Sequence, residues 1–194
     1  MKMIPGSWKH NYIAEVGTFL IALVLTIGAV SCGGPAPTYS LTMAPNPVVG
    51  GAATDLTGTS PYTANTAVNI KAVANTTGGY EFANWTAPVG TFGNATAAIT
   101  TFTMPAQNVT VTANFVSVYG LTMAVAPPGS GNATDLTGAS PYAAGTVVNI
   151  QAVGTAGLAF ANWTAPAGTF GNATAAMTTF TMPAQNVTVT ANFA

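Results

Sequence analysis

Hydrophobic and polar residues alternate with a period of two through much of the chain, which is the pattern of half-buried β-strands. The clearest run is Val109 to Phe115, where Val, Val, Ala and Phe alternate with Thr, Thr and Asn. The same alternation predicts strands at Tyr39–Met43, Val68–Ala72 and Tyr80–Trp85. Because no window carries a 3.6-residue period with helix caps, we predict a mainly β fold.

The strand pattern occurs twice. The second copy follows the first at an offset of 80 residues, which falls to 78 beyond the loop at Asn75–Gly79. Between Phe82–Phe115 and Phe160–Phe193, 32 of 34 positions are identical. We therefore predict two tandem small β-rich modules. Their expected bounds are 1–31 for a signal peptide, 32–38 for a tether, 39–115 for module 1, 116–118 for a linker and 119–194 for module 2.

A different pattern marks the beginning of the chain. Lys2 and Lys9 precede an apolar run from Val16 to Val30. As a helix this run spans about 22 Å, against roughly 30 Å of membrane hydrocarbon. A basic flank followed by a short apolar segment is typical of an export signal, so we predict an N-terminal apolar signal helix.

Ala29-Val30-Ser31-Cys32 resembles the lipobox of bacterial lipoproteins, in which cleavage before the cysteine leaves that residue lipid-modified. Cys32 is the single cysteine of the chain and cannot form an internal disulfide. We expect Cys32 to be the lipid attachment site and the membrane to be a partner through that lipid. The alternatives are an uncleaved N-terminal anchor, or a free thiol with no role.

Charge is scarce, since Lys, Arg, Asp and Glu make up 4% of the residues, against roughly 25% in an ordinary domain. From residue 32 onward the charged residues are Asp55, Lys71, Glu81 and Asp135, and there is no His or Arg. A nucleic-acid partner is excluded because phosphate contacts need a basic face. Catalytic triads are excluded because this part of the chain has no His. We expect no enzyme activity, no metal site and no cofactor.

Aromatic residues must supply much of the core, because a domain of this size buries only about 60% of its unfolded surface. Strict alternation in the Tyr80–Trp85 strand sets Trp85 on the face opposite Phe82. Each Trp nevertheless follows an aromatic strand, which favours a core position. The expected core anchors are Trp85, Trp163, Phe82, Phe160, Phe115 and Phe193.

The order of these motifs resembles the divergent branch of the internalin B-repeat family. The resemblance rests on Tyr-x-Leu-Thr-Met from Tyr39, Gly-Tyr-Glu-Phe-Ala-Asn-Trp from Gly79, and the closing strand from Phe102 to Phe115. The second copy departs from it by placing Leu158 where the first has Tyr80. The resemblance implies β modules related to the β-grasp, used in tandem on bacterial surfaces, and it implies no catalytic residue.

Two aromatic residues are candidates for ligand contact. Tyr62 and Tyr142 each follow Ser-Pro, so we expect them on turns, where they would stack on a sugar or a partner surface. The alternative is a Tyr that covers one end of the sheet with its hydroxyl in water. Asp55 and Asp135 each stand in Ala-Thr-Asp-Leu-Thr-Gly, which favours turn capping over calcium binding.

These observations predict an exported, membrane-anchored surface lipoprotein that acts as a spacer, adhesion or interaction module. The expected ligand is a cell-surface glycan or protein. Two alternatives stay open: a carbohydrate-binding accessory module, and a subunit of an extracellular fibre with an uncleaved N-terminal anchor. The former requires exposed aromatic residues in a row, and the latter an unpaired strand edge.

Overall fold

The structure is a computed structural model, and it describes residues 34–138, 140–155 and 157–194. The predicted signal helix over 1–31 and the predicted lipid site Cys32 lie outside the described residues. Ala36–Ala194 form one compact unit. Within the described ranges, no helix is long and apolar enough to cross a membrane.

Module 1 consists of short strands joined by turns, among them 3-10 turns at Val48–Gly50 and Thr76–Gly78. Its strands are β1 (Thr38–Tyr39), β2 (Leu41–Asn46), β3 (Gly51–Asp55), β4 (Tyr62–Thr63), β5 (Ala67–Ala74), β6 (Tyr80–Thr86), β7 (Thr91–Phe92), β8 (Ile99–Thr103) and β9 (Val109–Tyr119).

These strands form two main sheets. In the first, β9 lies between β2, to which it is parallel, and β6, to which it is antiparallel. The second has the order β3-β5-β8-β7 and is antiparallel throughout. A small ladder joins β1 to β4.

Module 2 repeats this arrangement. Its strands are β10 (Leu121–Ala126), β11 (Gly131–Asp135), β12 (Tyr142–Ala143), β13 (Val147–Gly154), β14 (Phe160–Thr164), β15 (Thr169–Phe170), β16 (Met177–Thr181) and β17 (Val187–Phe193). The sheet β10-β17-β14 matches β2-β9-β6, and β11-β13-β16-β15 matches β3-β5-β8-β7. The prediction of a mainly β fold is confirmed.

Each module has its own core, formed by the inward residues of its strands. In module 1 the strands β5 and β9 alternate between buried apolar and outward polar residues. The fully buried residues include Val68, Ile70, Phe102, Val111 and Ala113. Their counterparts in module 2 form a second cluster with the same membership.

Strict alternation fails in β6, where a bulge shifts the register between Phe82 and Asn84. The extra residue, Ala83, turns the strand by one position, so Phe82 and Trp85 both face the core. Their ring centroids lie 5.4 Å apart. Strict alternation alone would have placed these two side chains on opposite faces.

The three residues expected to link the modules, Val116 to Val118, belong to strand β9. Val116 and Ser117 pair with Glu81 and Tyr80 of module 1. Val118 and the following Tyr119 pair with β12 of module 2. One strand thus contributes to ladders in both modules, and the chain has no coil between them.

Candidate functional site

The described part of the chain contains no pocket and no group of three or more His, Cys, Asp or Glu residues that could hold a metal ion. Surfaces and repeated polar clusters are therefore the features to compare. Two such features occur in both modules. One is a loop built around an Asp–Tyr pair, and the other is the outward face of the sheet that contains β9 in module 1 and β17 in module 2.

The first feature is the Asp–Tyr loop, which connects β3 to β4 in module 1. Asp55 ends β3, and its two carboxylate oxygens have different partners. One accepts a hydrogen bond from the Thr57 backbone N–H at 2.9 Å, and the other accepts from the Tyr62 hydroxyl at 2.5 Å. The predicted turn-capping role of Asp55 is confirmed.

Side-chain hydroxyls tie the same loop to neighbouring strands. Thr57 Oγ1 accepts from the Asn69 backbone N–H at 2.6 Å, and Ser60 Oγ accepts from the Leu41 backbone N–H at 2.8 Å. Each bond satisfies a backbone donor that the ladders leave unpaired. The loop therefore holds β2, β3 and β5 in register at one end of the module.

Module 2 repeats the Asp–Tyr loop with its own residues. The Tyr142 hydroxyl donates to Asp135 at 2.5 Å, and Thr137 donates its backbone N–H to the other carboxylate oxygen at 2.9 Å. Ser140 Oγ accepts from the Leu121 backbone N–H at 2.7 Å. The cluster therefore belongs to the module design, and both tyrosines have the same surroundings.

This geometry limits what Tyr62 and Tyr142 can offer a ligand. Burial, the hydrogen bond to the neighbouring Asp and the charge of that carboxylate raise the pKa of each tyrosine to about 12. The hydroxyl proton is held by the carboxylate; ligand contact and coverage of the sheet end both stay predictions for these tyrosines. Both tyrosines are half-buried and pack against their cores.

The expected core anchors lie in the interior or beside it. Trp85 and Trp163 are each 2% exposed, and each indole N–H donates to a backbone carbonyl. Phe115 and Phe193 are also buried. Phe82 and Phe160 are half-buried and pack edge-on against them.

The second feature is the outward side of the sheet β2-β9-β6, which we call the Asn/Thr face. In module 1 its central positions are Thr42, Ala44, Asn46, Asn84, Thr86, Thr110, Thr112 and Asn114. In module 2 the same positions are Thr122, Ala124, Ala126, Asn162, Thr164, Thr188, Thr190 and Asn192. These positions carry hydroxyl, carboxamide and methyl groups and no charge; Glu81, opposite the exposed Val116, lies at one end of the same side in module 1, where module 2 has Ala159.

Hydrogen bonds across the strands order this face. Asn114 Nδ2 donates to Asn84 Oδ1 at 2.8 Å and to Thr86 Oγ1 at 3.1 Å. Asn46 Nδ2 donates to Asn114 Oδ1 at 3.2 Å, which extends the row over all three strands. In module 2, Asn192 Nδ2 makes the equivalent bonds to Asn162 and Thr164.

Sequence reasoning missed this row. The alternation marks Asn114 as outward, but it does not show which strands flank β9. The parallel pairing of β2 with β9 joins residues 68 positions apart, and only that pairing brings Asn46 to Asn114. The available signal was the repetition of Asn84 and Asn114 as Asn162 and Asn192 in both copies.

The remaining charged residues do not form a site. Lys71 lies in β5 opposite Thr54 and Ile99, whereas Glu81 lies in β6 opposite Val116. These strands belong to different sheets. Module 2 replaces Lys71 and Glu81 by Gln151 and Ala159 while keeping the fold.

The fold and its repeated polar clusters define a class of protein: a tandem array of small β modules, each with an independent core. A family model, the divergent InlB B-repeat domain, matches residues 39–118 and 121–194. The chain belongs to this family, which occurs as repeats in bacterial surface proteins. The resemblance seen in the sequence motifs and the tandem arrangement are confirmed. No curated protein and no solved structure matches the chain.

Proposed function

We propose that this protein is a non-catalytic surface lipoprotein whose two modules serve as a spacer and as an interaction module. Membership of a surface-repeat family supports an extracellular role. The apolar N-terminal run followed by Cys32 supports export and lipid anchoring. At least two acyl chains give stable anchoring, because a single chain binds a membrane only marginally.

The observation that carries the interaction role is the Asn/Thr face, which recurs in both modules with Asn46 replaced by Ala126 in the second. Its groups donate and accept hydrogen bonds without charge, and the cross-strand row fixes their positions. Asp135 is the sole charged residue of module 2, and it is engaged by Tyr142. Electrostatic steering therefore contributes little to any association of module 2.

A neutral, hydrogen-bonding surface suits a neutral polyhydroxyl partner, so we assign a cell-surface glycan as the ligand class. Two closely similar faces on one chain raise the effective concentration for the second contact. Because β9 pairs with strands of both modules and Gly120 alone separates it from β10, the connection limits variation in the spacing of the two faces. A repeating polymer would match such a spacing better than a single small sugar.

Processing is tested by intact mass spectrometry of the membrane fraction. The proposal expects a chain that begins at Cys32 and carries lipid, and it expects Cys32→Ser to release the protein from that fraction. A membrane-bound chain that retains Met1 without lipid would support the uncleaved anchor in its place.

Ligand binding is tested on a glycan array with the double variant Asn84→Ala/Asn162→Ala. Both residues are exposed and lie on the Asn/Thr face. The matched control is Asn69→Ala/Asn149→Ala, since these exposed residues lie on the other sheet. We expect loss of binding in the first pair alone. If the two double variants bind the glycan equally well, the Asn/Thr face is not the binding site.

The tyrosines are tested separately with Tyr62→Ala/Tyr142→Ala. The alternative of a carbohydrate-binding accessory module acting through aromatic residues requires this pair to abolish binding. Tyr62→Phe/Tyr142→Phe keeps the rings and removes the hydroxyls, so it distinguishes stacking from support of the loop. Binding that survives the Ala pair assigns the tyrosines to structure.

A further inference from the structure

In each module, the strand by which the chain enters is parallel to the strand by which it leaves. β2 pairs with β9 over six positions, from Leu41 opposite Val109 to Asn46 opposite Asn114. β10 pairs with β17 over six positions in the same way. Since both strands of a pair run in one direction, the entry point and the exit point lie at opposite ends of the ladder.

We propose that this parallel pair is a mechanical clamp, through which each module resists tension along the chain. A pull on the entry end of β2 and an opposite pull on the exit end of β9 both act along the strands. The hydrogen bonds of the ladder lie across the strands, so they are sheared together. Had the strands been antiparallel, the same pull would open the bonds one at a time from one end.

Hydrogen bonds at the start of the ladder show which residues connect the two strands. The Val109 backbone N–H donates to the Ser40 carbonyl at 2.9 Å. The Leu41 N–H points away and donates to Ser60 Oγ. The alternation of a parallel ladder then assigns Thr42 and Ala44 to the bonds with β9. Module 2 begins its ladder likewise, with Val187 donating to Gly120 at 2.9 Å.

The two clamps are connected in series. β9 ends at Tyr119 and β10 begins at Leu121, so Gly120 alone separates the exit strand of module 1 from the entry strand of module 2. Tension therefore passes from the first ladder to the second without crossing β3 to β8 or β11 to β16. The ladders of β9 with β6 and β12 resist sliding together with the clamp, and the other strands bear force only after a clamp has broken.

Packing around β9 supports the clamp on three sides. Its other edge is paired with β6, so sliding of β9 must break a second ladder. Val111 and Ala113 are completely buried, which keeps water from the inner side of the ladder. On the outer side, Asn46 and Asn114 are joined across the two strands.

This inference rests on the proposed surface role only for the source of the tension. The resistance is a property of the fold and is measured on the purified protein. A failure of lipid anchoring or of glycan binding would leave it intact, and a weak clamp would leave those proposals intact.

The direct test compares two pulling directions on module 1 in single-molecule force experiments. The full chain carries Cys32→Ser, so that handles attach only at introduced cysteines. Pro37→Cys with Gly120→Cys loads the ladder in shear, whereas Pro37→Cys with Gln107→Cys pulls the adjacent starts of β2 and β9 apart. We expect the force distribution to shift to higher values in the first geometry. Equal forces in the two geometries would overturn the proposal.

A second test changes the ladder itself in module 2, with handles at Gly120→Cys and at the carboxyl terminus. Ala124→Pro removes a backbone donor from the ladder, and we expect a lower unfolding force. Val125→Pro is the matched control, because it introduces the residue that module 1 has at Pro45 and removes a donor that faces away from β17. A force loss that is equal in the two variants would contradict the clamp.

A third variant applies if Ala124→Pro fails to fold. Ala126→Asn introduces the counterpart of Asn46 and adds a bond to Asn192 across the clamp. We expect the unfolding force of module 2 to shift upward. An unchanged force distribution would show that the Asn–Asn bond on the outer side of the ladder does not strengthen the clamp. Together with equal forces in the two pulling directions, it would overturn the proposal.

Discussion

Module 1 and module 2 share their interiors and differ at their edges. The segment from Phe82 to Phe115 is almost identical to that from Phe160 to Phe193, and it contains the buried Trp, most of the exit strand and the β6 and β9 residues of the Asn/Thr face. The entry strands are less alike, because β2 contains Pro45 and Asn46 where β10 has Val125 and Ala126. The common part specifies the core and the ladders, and the edge strand tolerates change.

A turn shows how different residues meet one backbone requirement. Asn65 adopts a φ of 65° between β4 and β5, and Gly145 adopts 82° at the equivalent place. Both backbone N–H groups donate to a buried Met, Asn65 to the Met104 carbonyl and Gly145 to that of Met182. Gly and Asn are the residues that enter this left-handed region most readily. The conformation, and not the side chain, is what the two copies have in common.

The loops that precede β3 and β11 differ more deeply. Gly50 packs so closely that an added Cβ would lie 2.7 Å from Phe115 Cβ. Module 2 has Ser130 there, with its hydroxyl buried and without a hydrogen-bond partner among the described residues. The facing loop is two residues shorter, and Thr155 replaces Asn75 as the donor to the opposite backbone. Loop length and side chains have changed together at this site.

Removal of a core tryptophan should produce the largest difference in stability between the two modules. Trp163→Ala should destabilise module 2 by roughly 3–5 kcal/mol, the usual cost of truncating a large buried aromatic, and should leave the core of module 1 in place. In residues 36–194 each module has one Trp, so Trp85 fluorescence reports module 1 in this variant. Simultaneous melting of both modules in Trp163→Ala would show that the cores are not independent.

Adding a side chain at a glycine that lies close to its neighbours should give the next largest loss of stability. A Cβ at Gly131 would lie 2.5 Å from Phe193 Cζ and 2.6 Å from the Val153 carbonyl. Gly131→Ala should therefore cost about 1–3 kcal/mol through overpacking, measured by denaturant unfolding. Gly138→Ala is the control, because its nearest neighbour would be the Tyr142 hydroxyl at 3.8 Å. A neutral Gly131→Ala would mean that the β11–β13 pair can separate without loss.

The Asp–Tyr pair should give a smaller and pH-dependent effect. Tyr142→Phe should cost module 2 about 0.5–1.5 kcal/mol at neutral pH, the usual worth of one hydrogen bond. The folded pKa of Tyr142, about 12, lies above the ordinary value of 10.0. The stability that arises from this shift is therefore complete below pH 10 and is lost as the pH rises through about 12.

Alkaline unfolding monitored by circular dichroism, with tyrosinate absorbance alongside, checks this prediction. Wild-type module 2 should lose stability between pH 10 and about 12, and Tyr142→Phe should lose less over the same interval. Tyr62→Phe supplies the matched measurement in module 1. If stability depends on pH in the same way in the variant and in the wild type, the hydroxyl does not contribute to the stability of the loop.

The sequence revealed the repeat, the strands with clear alternation and the family, because these depend on local pattern and on identity between the copies. It did not reveal β3, whose Gly, Ala and Thr residues carry weak hydrophobic contrast, or β8, in which three of five residues are Thr. It also missed the bulge at Ala83, since a one-residue irregularity leaves no mark on composition. The partners of Asn114 and Tyr62 depend on strand order and loop closure, which alternation does not encode.

The smallest expected effect concerns the position in the Asn row that is Asn46 in module 1 and Ala126 in module 2. Asn46→Ala removes the bond to Asn114 in module 1, and Ala126→Asn introduces its counterpart opposite Asn192 in module 2. Cross-strand pairs of this kind contribute about 0.2–1 kcal/mol, so the first change should lower the stability of module 1 and the second should raise that of module 2. Denaturant unfolding of the single and double variants measures both shifts. If the two changes have the same sign, the difference between the faces has another cause than this hydrogen bond.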